Sequence, residues 1–354
     1  MAGSHDTYMF KIVNLSPLIV NRGSGNYMKS TDYIPASSLI GAFTATQIDP
    51  KCFGKEKKLL DFDIALTDAM PVGSILNEEG SPQSAEGSLR RVEELNPPSL
   101  VTISGKNPSE GDQYFDCARI LIEYSTSKKP VDYEPVRLKK GPRFWRVEDN
   151  HIKTVNLSEP LGLTLLTLDD YTLTAYTKYS GEEKTGLLAH VQSIPPGHLF
   201  VFEVSGNKDE VERLRSALSE GLYVGGLRSK GYGLVKLVDS RLTQPQQKRA
   251  LKVEGDSDDY YVLSVYGNLD QAYLLKVKKE LEDGGSKLIY ANIGEQEVIR
   301  LDYDVFKKRR VVRSGSVLIY TNIPQEKVYN LERESLEKGK GGKIIVNHKV
   351  HWVN

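Results

Sequence analysis

Cysteine is almost absent. Cys52 and Cys117 are the only two in 354 residues, which excludes a disulfide framework and fits a reducing compartment. Histidine is nearly as scarce, with six in all, and no His/Cys spacing matches a metal site. No metal and no cofactor is therefore expected. His348 and His351 lie three apart near the end of the chain and read as surface residues. No apolar run approaches the roughly 20 residues that a membrane span needs, so no membrane partner is expected. The opening Met1-Ala2-Gly3-Ser4-His5 lacks the regions of a signal peptide, and the expected location is cytoplasmic. Net charge is missing too: 47 basic residues balance 47 acidic ones. That speaks against indiscriminate polyanion binding but permits a local basic surface. A Walker-type phosphate loop and a nucleophile elbow are both absent.

The chain does contain real core material, 39% hydrophobic, at a length that accommodates two or three domains. Its most unusual stretch is Leu222-Tyr223-Val224-Gly225-Gly226-Leu227-Arg228-Ser229-Lys230-Gly231-Tyr232-Gly233, followed at once by the apolar run from Leu234. Glycine permits positive φ and close backbone approach. A loop of this kind can aim N–H groups at a phosphate while Arg228 and Lys230 add charge, and Tyr232 can stack on a base. The same stretch also fits a tight hairpin leading into an edge strand. Two basic clusters lie elsewhere. Arg137, Lys139, Lys140, Arg143 and Arg146 are interleaved with Phe144 and Trp145, the mixture that holds single strands. Lys307, Lys308, Arg309, Arg310 and Arg313 form the second cluster, which reads as a solvated surface.

In chain order, Tyr8 to Val20 reads as a strand. A polar loop follows, then Asp32-Tyr33-Ile34-Pro35-Ala36-Ser37-Ser38-Leu39-Ile40-Gly41-Ala42-Phe43. Ser37 or Ser38 is the expected N-cap of a helix there, with free first-turn N–H groups as an anion site. Asp32 is expected to form an Asx turn or cap before the Tyr-Ile-Pro. Residues 74–113, rich in Gly, Pro and Ser and containing Arg90 and Arg91, read as a long mobile insertion. Phe115 to Tyr124 reads as a strand, residues 130–156 as a basic hairpin or loop, and Asn207 to Leu218 as a helix stopped by Gly221.

Beyond a polar linker over 241–259 the pattern restarts. Strands are expected at Tyr260–Tyr266, Lys287–Ala291, Val298–Tyr303, Val311–Tyr320 (bent at Ser314-Gly315-Ser316) and Ile344–Val350. Helices are expected at Leu269–Leu281 and Gln325–Leu336. No exact internal repeat is visible.

Four of these stretches carry a resemblance. "YIPASSLIGAF" at 33–43, "LTDAMPV" at 66–72, "IPPGHLF" at 194–200 and "GGLRSKGYGLVKL" at 225–237 resemble, in order, segments of the RAMP superfamily of CRISPR-associated proteins. Ala36 stands where glycine is usual and Ile40 where a basic residue is usual. The resemblance implies an α+β chain of ferredoxin-like (RRM-like) units. The expected layout is a RAMP unit over 1–240 with its insertion at about 74–113, the linker at 241–259, and a second α+β domain over 260–354.

It further implies a non-catalytic RNA-binding subunit of a type III effector ribonucleoprotein in antiviral defence, most similar to the subunit that caps the crRNA 5′ handle, in subtype III-D. The implied partners are crRNA, the large polymerase-like subunit, the backbone RAMP subunits and, indirectly, target RNA. The candidate RNA contacts are Gly225, Gly226, Arg228, Ser229, Lys230, Gly231, Tyr232 and Gly233, with Ser37 and Ser38 at the helix start. Arg137, Lys139, Lys140, Arg143 and Trp145 form a second surface. The alternatives are a RAMP endoribonuclease cutting target RNA through Asp32, and a scaffold whose basic clusters meet acidic proteins. A processing nuclease is disfavoured because no histidine lies near residues 20–50.

Overall fold

The computed structural model describes residues 6–20, 27–47, 64–75, 95–96, 103–104, 114–126, 144–148, 151–155, 157–166, 177–180, 183–186, 188–243, 248–253, 256–302 and 305–352. Two antiparallel sheets organise them. The first contains β1 (Asp6–Asn14), β2 (Ile64–Leu66), β3 (Met70–Ser74), β4 (His198–Gly206), β5 (Leu222–Tyr223) and β6 (Leu234–Leu242). Its order is β5-β6-β1-β4-β2, with β3 also pairing β4. The second contains β7 (Tyr260–Gly267), β8 (Lys287–Asn292), β9 (Val317–Thr321) and β10 (Gly342–Val346), in the order β8-β9-β7-β10. Both sheets place the strand that opens the unit between the strands that flank its second helix, so the two units share one winding.

The helices follow from apolar spacing. Helix α1 (Ala36–Gln47) buries Ala36, Leu39, Ala42 and Phe43. Helix α3 (Lys208–Glu220) buries Val211, Leu214 and Leu218, three and four apart. Asn207 caps α3 by accepting from the Asp209 N–H at 3.1 Å, and Gly221 stops it at φ 115°. Both helices cover one face of the first sheet, against Phe10, Ile12, Phe200 and Phe202. In the second unit α4 (Gln271–Asp283) and α5 (Gln325–Lys338) cover Leu263, Val265, Leu318 and Ile344 in the same way.

Neither sheet leaves its other face open. Met9, Val13, Val72, Leu199 and Val201 behind the first sheet meet Tyr266 and Ile345 of the second unit. This is why β1 and β4 read as continuous apolar runs instead of alternating. The open face of the second sheet, with Tyr260, Val262, Val317 and Ile319, is covered by helix α2 (Ala118–Thr126). That helix corrects the expected strand over Phe115–Tyr124, of which only Phe115–Asp116 is extended. Ala118, Leu121 and Ile122 sit at helical spacing, and a short apolar run does not decide between the two periods. The chain that belongs between β3 and β4 thus supplies cover for the second unit.

Charged groups join the units as well. Lys343 Nζ on β10 lies 2.5 Å from Glu203 Oε2 on β4, and both are buried. Burial pushes the Lys343 ammonium down, but Glu203, Glu332 and the hydrogen bond outweigh it and hold its pKa above the ordinary value. Tyr266 donates from its hydroxyl to Val201 O at 2.8 Å.

Other expectations are corrected at this level. The expected strand Val311–Tyr320 is two: one ending at Val312 and one beginning at Val317, because Gly315 at φ 91° turns the chain. The last strand ends at Val346, where Asn347 turns at φ 42°. His348 and His351 are buried, not at the surface. His348 packs edge-on to Trp145, and His351 Nδ1 sits 3.0 Å from Asp116 Oδ1. Leu251, within the expected linker, is buried and bridges Tyr260. Arg90 and Arg91 lie outside the described residues.

Candidate nucleic-acid interface

The glycine loop joins α3 to β6 along the edge strand β5. Its glycines act first on the fold. Gly225 has φ 85°, and a Cβ there would stand 2.2 Å from Ile19 O. Gly233 has φ 87°, and a Cβ would stand 2.0 Å from Val224 O. The Gly226 N–H donates to Ile19 O and the Gly233 N–H to Pro17 O, both at 2.9 Å. The loop is therefore stapled to the Pro17–Val20 segment that follows β1, and only glycine allows that approach. Gly231, at φ 82°, has nothing within 4 Å of its Cβ position.

Between the stapled ends stands one turn of 3-10 helix, Arg228–Lys230, entered through Leu227 in the left-handed region at φ 55°. Arg228, Ser229 and Lys230 are exposed, Tyr232 is half-buried and Gly233 is buried. The Lys230 N–H donates to Leu227 O and the Gly231 N–H to Arg228 O. Among the described residues the amides of Leu227, Arg228 and Ser229 meet no acceptor, as befits the first turn of a helix. Two cations and three N–H groups without an acceptor among the described residues thus share one exposed turn. Of the candidates in this loop, Arg228, Ser229 and Lys230 face solvent together, whereas Gly225 and Gly233 hold the backbone.

The helix start is built differently from its expectation. Helix α1 begins at Ala36, and Ser37 and Ser38 lie inside its first turn instead of capping it. The Ser38 N–H donates to Pro35 O at 2.9 Å. The Ala36 N–H donates to Asp68 Oδ1 at 2.8 Å, so the cap arrives from far along the chain. Asp68 Oδ2 accepts from the Asn268 backbone N–H at 3.0 Å and from Asn268 Nδ2 at 2.8 Å. The Asp68 N–H donates to Gly341 O at 2.8 Å, and Asn268 Nδ2 donates to Tyr33 Oη at 2.6 Å. One buried carboxylate therefore caps α1 and clasps the second unit. Asp68 takes the Ala36 N–H, and Ser37 stands exposed beside it.

Of the aromatic basic segment, Arg137, Lys139, Lys140 and Arg143 lie outside the described residues. Trp145 is corrected: it is 3% exposed, packs with Ile152 and Val350, and has no face for a base. Its hairpin, Trp145–Glu148 with His151–Thr154, puts alternate residues inward, and the indole is on the inner side. The second basic cluster lies on and just past a small three-stranded sheet, Leu269–Asp270, Val305–Val312 and Glu295–Asp302, where Glu297 stands opposite Arg310. Arg310 and Arg313 are exposed there.

Asp32 is half-buried in the wall of an open cleft of about 520 Å³, shared with Lys29, Tyr114, Phe144, Thr154 and Gln192. Among the described residues no group of three or more His, Cys, Asp or Glu side chains is placed to hold a metal ion. No described helix is long and apolar enough to cross a membrane.

Sequence reasoning assigned no role to Asp68, Glu203 or Lys343. The available signal was a charge inside an apolar strand, as in "HLFVFEVSG" and "GKIIV". A charge in such a run is either paired or functional.

No curated protein matches the chain. Among solved structures, its fold resembles a chain in the cryo-EM structure of the Type III-B Cmr-beta bound to cognate target RNA and AMPPnP, at 11% identity and a TM-score of 0.44 over 92% of this chain and 89% of that one. A chain of a Type IV-B CRISPR complex matches at 10% identity and a TM-score of 0.27, over 70% of this chain and 94% of the other. The crystal structure of Cmr4 matches at 15% identity and a TM-score of 0.27, over 67% and 99%. Residues 11–236, from β1 through the glycine loop into β6, match the RAMP superfamily itself, and the chain belongs to that superfamily.

Proposed function

We propose that this chain is a non-catalytic crRNA-binding subunit of a type III CRISPR effector complex, in subtype III-D. In this reading it caps the 5′ handle and contacts the large polymerase-like subunit, in the cytoplasm, as part of antiviral defence. The two units are ferredoxin-like, and the glycine loop of the first cradles handle phosphates. The observation that carries the reading is the Arg228-Ser229-Lys230 turn. A superfamily member presents there two exposed cations on a backbone stapled in place by glycines, with amides that meet no acceptor among the described residues. Backbone N–H groups and Arg/Lys charge are what a phosphate chain requires, and they work without reading sequence.

A second reading is favoured by one observation. Asp32 lines an open cleft, and an endoribonuclease would need a carboxylate at such a site. Incubating the full chain with labelled crRNA, with a handle-less guide and with target RNA separates the readings. Handle-dependent binding without cleavage is expected. Metal-dependent cutting of target RNA that disappears in Asp32→Ala would replace the first reading with the second. Absence of RNA affinity at low salt would sink both.

A further inference from the structure

The cleft beside Asp32 is chemically unlike the glycine loop. Half-buried Tyr114 supplies an aromatic wall beside buried Phe144, and Thr154 and Gln192 supply hydrogen-bonding groups. Negative charge comes from Asp32 and Glu159, while Lys29 stands exposed at its edge. Carboxylates in the wall repel a phosphate and attract a donor. At about 520 Å³ the space falls in the range of small-ligand sites. An aromatic-walled slot with an acceptor inside and a cation outside suits a nucleobase whose phosphate stays at the rim.

The cleft and the glycine loop hang on adjacent carbonyls of one segment. Ile19 O accepts from the Gly226 N–H, and Val20 O accepts from the Thr31 N–H, each at 2.9 Å. The Val20 N–H in turn donates to Ser30 Oγ at 3.0 Å. Ser30 and Thr31 form part of the cleft wall. A strand lying on the Arg228–Lys230 turn therefore has the cleft as its neighbour across a single backbone segment.

We propose that this cleft receives one unstacked base of the bound RNA and selects bases that carry an exocyclic amino group, with Asp32 as the acceptor. The proposal rests on the RNA-binding reading above. It gives Asp32 a recognition role in place of a catalytic one. Adenine and cytosine present an amino donor where uracil presents a carbonyl oxygen, which a carboxylate repels.

The test is equilibrium binding of the full chain to short oligo-adenosine, oligo-cytidine and oligo-uridine at fixed salt. Three proteins are compared: the parent, Asp32→Asn, and Ser158→Trp, which plugs the cleft from an exposed rim position. The parent is expected to prefer the amino-bearing tracts about five- to tenfold, the size of one good base contact. Both variants are expected to reduce that preference to within about twofold: Asp32→Asn raises uridine affinity because the amide no longer repels the carbonyl, and Ser158→Trp lowers affinity for the amino-bearing tracts to that for uridine, since the phosphate contacts remain. A thermal unfolding scan checks that each variant is folded, and Ser158→Trp decides if Asp32→Asn is not. A preference that survives in the folded variants overturns the proposal, and the cleft then serves something other than RNA, such as a cationic side chain of a neighbouring protein. Equal parent affinity for all three tracts overturns it and leaves the RNA-binding reading standing. No parent affinity for any tract overturns this proposal, while the RNA-binding reading stands or falls on the crRNA comparison above.

Discussion

The second helix of each unit is joined to its last strand through glycine, yet the two connections do opposite things. In the first unit the connection is long, Gly221 to Gly233, and carries Arg228 and Lys230 on an exposed turn. In the second unit it is Gly339-Lys340-Gly341, and it faces the first unit. Gly341 O accepts from the Asp68 N–H, and Gly339 O accepts from the Asp270 N–H at 3.1 Å. A Cβ on the adjoining Gly342 would stand 2.5 Å from the backbone of Leu269. Glycine allows close approach in both places. What approaches differs: protein backbone alone in the second unit, and protein backbone plus a projecting cationic turn in the first. Glycine content by itself does not mark a ligand loop. The residues left over once the glycines have met their neighbours do.

The strongest test of how the units depend on each other is Lys343→Met. It leaves Glu203 buried without its partner, and removing one half of a buried pair costs about 3–5 kcal/mol. Chemical denaturation is expected to show that loss as one concerted shift of both units. A loss below about 1 kcal/mol would mean that water reaches Glu203 and the units are less tightly joined.

Asp68 and Asp270 form the next comparison. Both cap the first helix of a unit, but Asp270 caps only its own helix, accepting from the Ala272 N–H at 2.9 Å. Asp68 also holds Asn268. Asp270→Ala should cost about 1 kcal/mol, a cap plus a half-exposed pair with Lys340 that adds little. Asp68→Ala should cost about 2–4 kcal/mol, because charge-assisted bonds across the interface go with the cap. Equal losses in thermal unfolding would reduce Asp68 to a simple cap.

Each unit also buries a histidine in the neutral form. Burial lowers the pKa of His348 well below 6.5, with the nearby His351 adding to the effect. Burial lowers that of His198 as well, partly offset by a hydrogen bond to Gly73. A depressed folded-state value means that the unfolded chain binds the proton first. This stability is therefore present above the ordinary value of 6.5 and is lost as pH falls through the folded-state values. Each histidine contributes a slope of up to about 1.4 kcal/mol per pH unit in that window. Lys343 has the opposite sign: its value is raised, so its contribution is present below 10.5 and lost as pH rises through the higher folded value. A stability profile that stays flat as pH falls below 6.5 in the parent, or one that is unaltered by His348→Gln, would contradict the acid limb.

How much of this was legible follows from the physics of each element. Helix α3 was readable because Asn207, Gly221 and the spacing of Val211, Leu214 and Leu218 agree locally. Helix α2 was not, since Ala118, Leu121 and Ile122 suit either period and only the open face of the second sheet decides between them. Trp145 looked like a stacking platform because basic neighbours surround it, and the hairpin pleat that turns it inward depends on register. The Asp68 clasp joins residues 200 positions apart and has no local signature. The shared winding of the two units leaves no sequence period, since the insertion between β3 and β4 is far longer than the hairpin that separates β8 from β9. The glycine loop was visible, but which of its residues hold the backbone and which face solvent required Ile19, Pro17 and Val224 to be in place.

The smallest effect on stability is expected at the two loops themselves, where the contrast is functional. Arg228 and Lys230 are exposed, so replacing both with alanine should leave unfolding nearly unchanged, within about 0.5 kcal/mol. On RNA the same change removes two cations, and each phosphate left without its cation lowers the slope of log affinity against log salt by about one. The double variant should therefore bind more weakly at low salt, with a slope shallower by about two. Lys340, on the short loop of the second unit, is the matched control. Its side chain is also about half exposed, but it pairs with Asp270 at 3.4 Å on a connection turned toward the first unit. Lys340→Ala should leave the slope where it was. A slope that falls equally in both variants would mean that RNA meets general surface charge, and the distinction between the loops would fail. A slope unchanged in the Arg228/Lys230 variant would remove the first loop from the RNA path, leaving its glycines a purely structural explanation.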